Sequence, residues 1–179
     1  MGMHELPKRK HIRLPNYDYS QNGVYFVTIC TEGRRNILSE IVSSVGRDDP
    51  GAPLATCLLS RNGEIVKGYI ESIPRAHPGV TVEQYCIMPN HVHMLLAFYE
   101  AEERRAGSSR PTQRLPRIIA ALKRFSNRDT GQKLWQIGYY EHIIRDNRDY
   151  LVHWQYIDQK PARWAEDEYN AEYPAGGNL

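Results

Sequence analysis

The stretch that decides the fold is Cys86-Ile87-Met88-Pro89-Asn90-His91-Val92-His93-Met94-Leu95-Leu96. Two apolar runs, 80–88 and 91–98, meet at Pro89-Asn90, a dipeptide that favours a tight turn. The sequence therefore predicts two antiparallel strands joined by this turn. Because side chains alternate between the two faces of a sheet, His91 and His93 are predicted to share one face and Val92 to lie on the other.

The segments around this hairpin predict a small α+β domain. The predicted elements are, in chain order, a strand over 23–31, a turn at 48–51, a short strand over 56–59, a helix over 63–73 that Pro74 ends, the two hairpin strands, a helix over 115–125, a strand over 139–145 and a helix over 149–160. This order predicts a ferredoxin-like βαββαβ fold, a four-stranded antiparallel sheet with helices on one face, followed by a C-terminal helix.

A chain of 179 residues is typical of one domain with short extensions. We expect a basic N-terminal arm over 1–22, the domain over 23–165 and a tail over 166–179. No apolar run is long enough to cross a bilayer, and no signal-peptide core follows the basic N-terminus, so the sequence predicts a cytoplasmic protein that does not enter a membrane.

Positive charge is concentrated in two places, although the net charge is only +2. Between 104 and 128 there are eight arginine or lysine residues and no acidic residue. A second cluster, formed by Lys8, Arg9, Lys10 and Arg13, lies near the N-terminus. Such clusters are typical of surfaces that meet phosphates, and equally of solvated loops and helix faces.

The pair His91 and His93 is the strongest chemical feature of the chain. Two imidazoles on one face of a strand can bind one divalent ion, but a His-hydrophobe-His tripeptide also occurs by chance in many sequences. Here the pair directly follows a tight turn on an otherwise apolar strand, where packing alone does not explain two histidines.

At this point the sequence resembles a known family. The string around His91 and His93 resembles the HUH (His-hydrophobe-His) motif of single-tyrosine transposases, specifically the REP-associated tyrosine transposases and related insertion-sequence transposases. Four further segments resemble the family in the same order, namely 17–20 with 25–28, 134–136 with 139–145, 149–157 and Pro161.

The resemblance implies an enzyme that cuts and rejoins single-stranded DNA. A tyrosine hydroxyl attacks a phosphodiester and forms a 5′-phosphotyrosine, whose bond energy permits rejoining without ATP. A bound Mg²⁺ or Mn²⁺ would neutralise charge on the phosphate. The implied substrates are imperfect hairpins flanked by a single-stranded tetranucleotide, and the protein would act as a monomer or a homodimer.

By position in the predicted last helix, Tyr156 matches the nucleophile of the family, whereas Tyr150 matches a non-catalytic residue. The opposing interpretation is that Tyr156 packs the helix onto the sheet.

The third metal ligand departs from the family pattern. The family places Asn or Gln four residues after the nucleophile, and this chain has Lys160 there, whose ammonium has no lone pair to give. Gln159 is the preferred substitute, His153 the second, and Asp158 a further candidate. Alternatively Lys160 contacts the scissile phosphate while the metal keeps an extra water, or the enzyme is weakly active.

Candidate DNA contacts follow from the same resemblance. The basic arm and the second predicted helix would bind phosphates through Lys123, Arg124 and Arg128, and aromatic residues would stack unpaired bases. The aromatic candidates are Tyr17, Tyr19 and Trp135.

Three other functions compete with this one. A replication initiator or relaxase would share the chemistry, but it usually carries further domains or larger histidine clusters. A non-catalytic RRM-like RNA-binding module would carry aromatic pairs on its central strands where this chain has His91 and His93. A metallo-hydrolase of the HxHxDH type needs Asp at the position of Leu95, so the sequence excludes it.

Overall fold

The computed structural model describes residues 23–44, 54–99 and 114–170. Within these segments lie a four-stranded antiparallel sheet, a separate two-stranded sheet and three α-helices. The strands are β1 (Gly23–Cys30), β2 (Ser39–Ser44), β3 (Leu54–Leu59), β4 (Val80–Ile87), β5 (His91–Phe98) and β6 (Tyr140–Ile144), and the helices are α1 (Arg61–Ala76), α2 (Arg114–Thr130) and α3 (Asn147–Gln159). None of these helices is long and apolar enough to span a membrane.

The larger sheet confirms the predicted ferredoxin-like α+β fold. Its strand order is β4-β5-β1-β6, and every neighbouring pair is antiparallel. The predicted turn at Pro89-Asn90 joins β4 to β5, and the Met88 backbone N–H donates to the carbonyl of His91 across it. In this register His93 lies beside Thr28 of β1 on one side and Cys86 of β4 on the other.

Strand β5 lies at the centre of the molecule and all eight of its residues are buried. One of its faces packs against the core under α1 and α2 through Val92, Met94, Leu96 and Phe98. Burying an aliphatic or aromatic side chain of this size stabilises the fold by about 1.5–3 kcal/mol, so this strand is a major source of stability.

Helix α3 covers the opposite face of the sheet. Its Ile157 packs with Phe26 of β1 and Leu95 of β5 in a smaller core, joined by the half-buried Tyr150 and Trp154. His91 and His93 lie on this same face, since they alternate with the residues that face α1 and α2. The sheet thus separates the two core-packing helices from the helix that carries Tyr156.

The structure corrects two sequence predictions. Helix α1 continues through Pro74 to Ala76 instead of ending at Ile73, because the residues before Pro74 are held in the core through Ile70 and Ile73. A proline this near the C-terminus disturbs only the last turn.

The second correction concerns the strand predicted over 56–59. It is one half of a hairpin, β2–β3, whose partner strand the sequence did not predict because its residues, SEIVSS, are mostly polar. The turn predicted at 48–51 lies outside the described residues.

Two glycines of α1 give a matched test of this packing. A Cβ added at Gly63 would lie 2.1 Å from the backbone oxygen of Leu38, whereas nothing lies within 4 Å of a Cβ at Gly68. We expect Gly63→Ala to lower the free energy of unfolding by about 1–3 kcal/mol through overpacking. Gly68→Ala should raise it by about 0.5–1 kcal/mol, because alanine is the better helix former. Urea denaturation measures both, and equal effects of the two substitutions would contradict the packing described.

Candidate active site

His91 is held by Asn90, the second residue of the turn. Both residues are completely buried. The amide nitrogen of Asn90 donates to the carbonyls of Arg34 and Tyr169. Its amide oxygen therefore accepts the 2.8 Å bond to Nδ1 of His91, which must carry the proton. The Nε2 atom of His91 is left with a bare lone pair.

His93 is oriented in a similar way from the neighbouring strand. Its Nδ1 lies 2.8 Å from Oγ1 of Thr28, which the register of β1 and β5 places directly opposite. The ring stacks against Phe26 and lies 4.5 Å, centroid to centroid, from the ring of His91. The predicted sharing of one face by the two histidines is thus observed.

The Nε2 atoms of both histidines are buried, and neither has a hydrogen-bond partner within the described part of the chain. Burial lowers the pKa of His91 to about 3 and that of His93 well below its usual value, with the neighbouring His91 and then Lys160 adding to the second shift. Both rings are therefore neutral at physiological pH. An unpartnered buried nitrogen costs about 1–3 kcal/mol, and two such nitrogens side by side suit a metal ion.

Tyr156 lies against this pair. Its ring centroid is 5.2 Å from that of His93 and 5.7 Å from that of Phe26, and about a third of the residue is exposed. Burial raises the pKa of the Tyr156 hydroxyl, while a hydrogen bond and the charge of Lys160 act to lower it. Asp146 is the N-cap residue of helix α3, and its side chain accepts a hydrogen bond from the backbone N–H of Asp149. This cap fixes the start of the helix that carries Tyr156.

Lys160 and Asp167 form a buried ion pair beside the histidines. The Nζ atom of Lys160 donates to Oδ2 of Asp167 at 3.0 Å and lies 4.2 Å from the centroid of the Tyr156 ring. The same Oδ2 atom is 3.8 Å from Nε2 of His91. The backbone N–H of Tyr169 donates to the other carboxylate oxygen. Lys160, which lies where the resembled family has Asn or Gln, is thus paired with a carboxylate at the site.

The three residues that the sequence suggested as the third metal ligand lie in different surroundings in the structure. Gln159 and Asp158 are exposed, and Gln159 lines an open cavity of about 270 Å³ with Tyr156, Lys160 and Asp167. His153 turns toward Asp149, whose carboxylate also accepts from His142. The positions of these residues do not show whether any of them binds a metal. The role of Gln159 as a metal ligand stays a prediction.

A second group of possible metal ligands lies near His91 and His93. His142, Asp149 and His153 offer ligand atoms that all lie within 4.8 Å of one another. Asp149 is already well satisfied, since the backbone N–H of Arg145 donates to it as well.

A wider open cavity of about 460 Å³ extends from His93 along α3. Its lining is mainly aromatic and includes Phe26, His93, Tyr140, Tyr156 and Tyr169.

Of the three residues on α2 that were predicted to contact DNA, one is engaged within the fold and two are exposed. Lys123 donates to the carbonyls of Gln136, Ile137 and Gly138, which uses its three ammonium hydrogens inside the fold. Arg124 and Arg128 are exposed on α2, on the face of the sheet opposite His91 and His93.

Other residues expected to contact DNA are buried or undescribed. Trp135 is buried and donates to Ser126, so it offers no face to a base. The residues of the N-terminal arm, Lys8, Arg9, Lys10, Arg13, Tyr17 and Tyr19, lie outside the described residues.

Sequence reasoning did not identify Asp167, Tyr169 or Arg34 as parts of the site. Asp167 and Tyr169 fall in the stretch expected to be a tail, and the guanidinium of Arg34 lies 5.0 Å from the centroid of the Tyr169 ring. The available signal was the acidic run after Pro161, but nothing local indicates that one of its carboxylates is buried.

Comparisons with known proteins agree with the resemblance. No protein-family model matches the chain. An uncharacterized protein of Haemophilus influenzae is 31% identical, over 93% of this chain and 94% of that protein. A second Haemophilus influenzae protein, assigned to the REP-associated tyrosine transposases, is 24% identical over 90% of this chain and 84% of its own length.

A solved structure shares the fold. It is a REP-associated tyrosine transposase bound to a REP hairpin, 18% identical, with a TM-score of 0.56 over 90% of this chain and 79% of that chain. The sequence relatives span nearly the whole chain, and the fold is the one that the resemblance implied. The chain is thus similar to REP-associated tyrosine transposases, to one in sequence and to another in fold, as the resemblance implied.

Proposed function

We propose that the protein is a metal-dependent enzyme that cleaves and rejoins single-stranded DNA at hairpin-forming repeat or element-end sequences, with Tyr156 as the nucleophile. The observation that carries the proposal is the contact between Tyr156 and His93, next to two buried imidazole nitrogens for which the described residues supply no hydrogen-bond partner. A nucleophile beside two nitrogen atoms that could act as metal ligands supports phosphoryl-transfer chemistry.

The proposed reaction is a transesterification. The phenolic oxygen of Tyr156 forms a bond to phosphorus as the bond from phosphorus to the 3′ oxygen breaks. The phenolic proton passes to solvent and the departing 3′ oxygen takes one up, which leaves a 5′-phosphotyrosine and a free 3′ hydroxyl. Attack by a 3′ hydroxyl reverses the step, and no external energy source is needed.

The residues present fit a divalent metal. His91 and His93 would hold Mg²⁺ or Mn²⁺ through their Nε2 atoms, and imidazole ligands favour Mn²⁺ of the two. When bound, the ion would supply positive charge to the phosphate oxygens. The hydrogen bonds from Asn90 and Thr28 to the Nδ1 atoms orient the rings for this role.

Lys160 would assist the nucleophile. Its ammonium lies over the ring of Tyr156 and stabilises the phenolate form of that residue. This opposes the effect of burial, which favours the neutral phenol.

The aromatic cavity beside the site would bind the DNA strand near the cleaved bond. Exposed aromatic faces bind unpaired bases by stacking, and Tyr140 is 41% exposed there. Arg124 and Arg128 lie on the other side of the sheet, so they would contact DNA remote from the scissile phosphate. The solved relative is bound to a REP hairpin, which supports a hairpin substrate for this chain.

The nucleophile can be tested by covalent trapping. The probe is a labelled pool of hairpin oligonucleotides with randomised single-stranded flanks, incubated with Mn²⁺ and resolved by denaturing electrophoresis. We expect a protein–DNA adduct from the wild type and none from Tyr156→Phe, because only the hydroxyl is removed. Tyr150→Phe is the matched control, since Tyr150 lies on the same helix at the position that matches a non-catalytic residue, and it should retain the adduct.

An adduct from Tyr156→Phe would contradict the assignment of the nucleophile. Absence of an adduct from every protein, with binding of the hairpins retained, would favour a role in DNA binding alone.

The buried histidines also make the stability of the fold depend on pH. The unfolded chain protonates His91 below its usual pKa of 6.5, while the folded chain resists protonation until about pH 3. Between these values the unfolded state binds more protons, so the free energy of unfolding must fall as pH falls.

We therefore expect the metal-free protein to lose about 2 kcal/mol of stability through His91 between pH 7 and pH 5. Urea denaturation in the presence of a chelator measures this loss. The His91→Gln variant lacks the titrating group and should show a correspondingly smaller loss over the same interval. Equal losses in the two proteins would show that His91 is not held neutral by burial.

A further inference from the structure

We propose that Asp167 supplies the third ligand of the metal held by His91 and His93, and that the ammonium of Lys160 balances the charge of this carboxylate when no metal is bound. This inference rests on the proposed function, because it names a further ligand of the same site.

The position of the Asp167 carboxylate is suited to this role. Its Oδ2 atom lies 3.8 Å from the unpartnered Nε2 atom of His91. An ion of this class lies about 2.0–2.2 Å from each nitrogen or oxygen ligand. Two ligand atoms of one ion are therefore about 3–4 Å apart, and the observed separation falls in this range.

The burial of Asp167 points to the same conclusion. Its side chain is fully buried, and an isolated carboxylate in such a place is strongly destabilising. Two hydrogen bonds stabilise the Asp167 carboxylate in part, one donated by Nζ of Lys160 to Oδ2 and one donated by the backbone N–H of Tyr169 to Oδ1. A carboxylate has about four lone-pair positions, so Oδ2 retains a lone pair for a further ligand.

This arrangement also accounts for Lys160. An ammonium cannot replace the amide that the resemblance leads us to expect four residues after the nucleophile. A carboxylate can, and the buried partner of Lys160 is a carboxylate of the following segment that lies beside His91. Gln159 is exposed on the helix, and no contact joins it to either histidine among the described residues.

The cluster of His142, Asp149 and His153 is more compact but lacks the same indication. Both oxygens of Asp149 accept hydrogen bonds from the Nε2 atom of His142. The Nδ1 atom of His153 donates to the backbone carbonyl of Asp149 and lies 3.0 Å from its Oδ1 atom. No ligand is needed to satisfy those atoms. At His91 and His93 two nitrogens have no hydrogen-bond partner among the described residues, and within the same residues a carboxylate oxygen of Asp167 lies 3.8 Å from one of them.

The charges of Lys160 and Asp167 predict opposite effects on metal binding. Removal of the carboxylate takes away a ligand and leaves an ammonium that repels a cation. Removal of the ammonium frees the carboxylate and takes away that repulsion. A purely structural ion pair predicts no such difference in sign, since either substitution would break the same contact.

The test is titration of the metal-free protein with Mn²⁺ in the absence of DNA, followed by electron paramagnetic resonance of the free ion. We expect Asp167→Asn to weaken binding at least about tenfold, as loss of a ligand does. Lys160→Met should tighten binding severalfold, and Gln159→Ala should change it by less than about twofold. Unfolding midpoints without metal show which variants are folded, and the double variant Asp167→Asn with Lys160→Met removes both buried charges and should still bind weakly.

The outcomes separate the two proposals. Loss of binding in Gln159→Ala with wild-type binding in Asp167→Asn would overturn the role of Asp167 and leave the proposed function intact. Weaker binding in Lys160→Met to the same extent as in Asp167→Asn would also overturn it, because the pair would then be only structural. Failure of the wild type to bind Mn²⁺ would contradict the metal dependence of the proposed function itself.

Discussion

Strand β5 is packed from both sides. Because its side chains alternate between the two faces of the sheet, one face belongs to the main core and the other carries the histidines of the candidate site. The residues that face α1 and α2 are all apolar and close the main core. The residues on the other face include His91 and His93, whose imidazoles are buried as completely as the neighbouring leucines. Because a buried polar nitrogen without a partner is destabilising, neighbouring residues supply a hydrogen-bond partner to the Nδ1 atom of each ring.

Each partner comes from a different part of the chain. Thr28 is set opposite His93 by the pairing of β1 with β5, and Asn90 is held in the turn by the carbonyls of Arg34 and Tyr169. These contacts orient the rings and leave both Nε2 atoms directed to the side of the sheet where α3 lies. The direction in which the two Nε2 atoms point is therefore a consequence of the hydrogen bonds in the turn and between the central strands.

The ion pair of Lys160 and Asp167 connects this site to the C-terminal segment. Buried ion pairs contribute little net stability, because desolvation offsets the attraction, so their retention often reflects specificity or function. Here the pair lies between the ring of Tyr156 and the Nε2 atom of His91. It also holds the stretch after α3 against the sheet, since the buried Asp167 follows the short 3-10 helix Pro161–Glu166.

The sequence by itself determined the central hairpin, the order of the main elements, the shared face of His91 and His93, and the helix that carries Tyr156. These features depend on local periodicity and turn chemistry, which a single sequence displays. It missed β2, whose polar residues lack a strand pattern, and it ended α1 at Pro74 because it could not weigh the packing of Ile70 and Ile73. Only the tertiary structure brought Asp167 to the histidines, because that contact joins residues far apart in the chain and depends on how the segment after α3 folds back. No local pattern encodes such a contact.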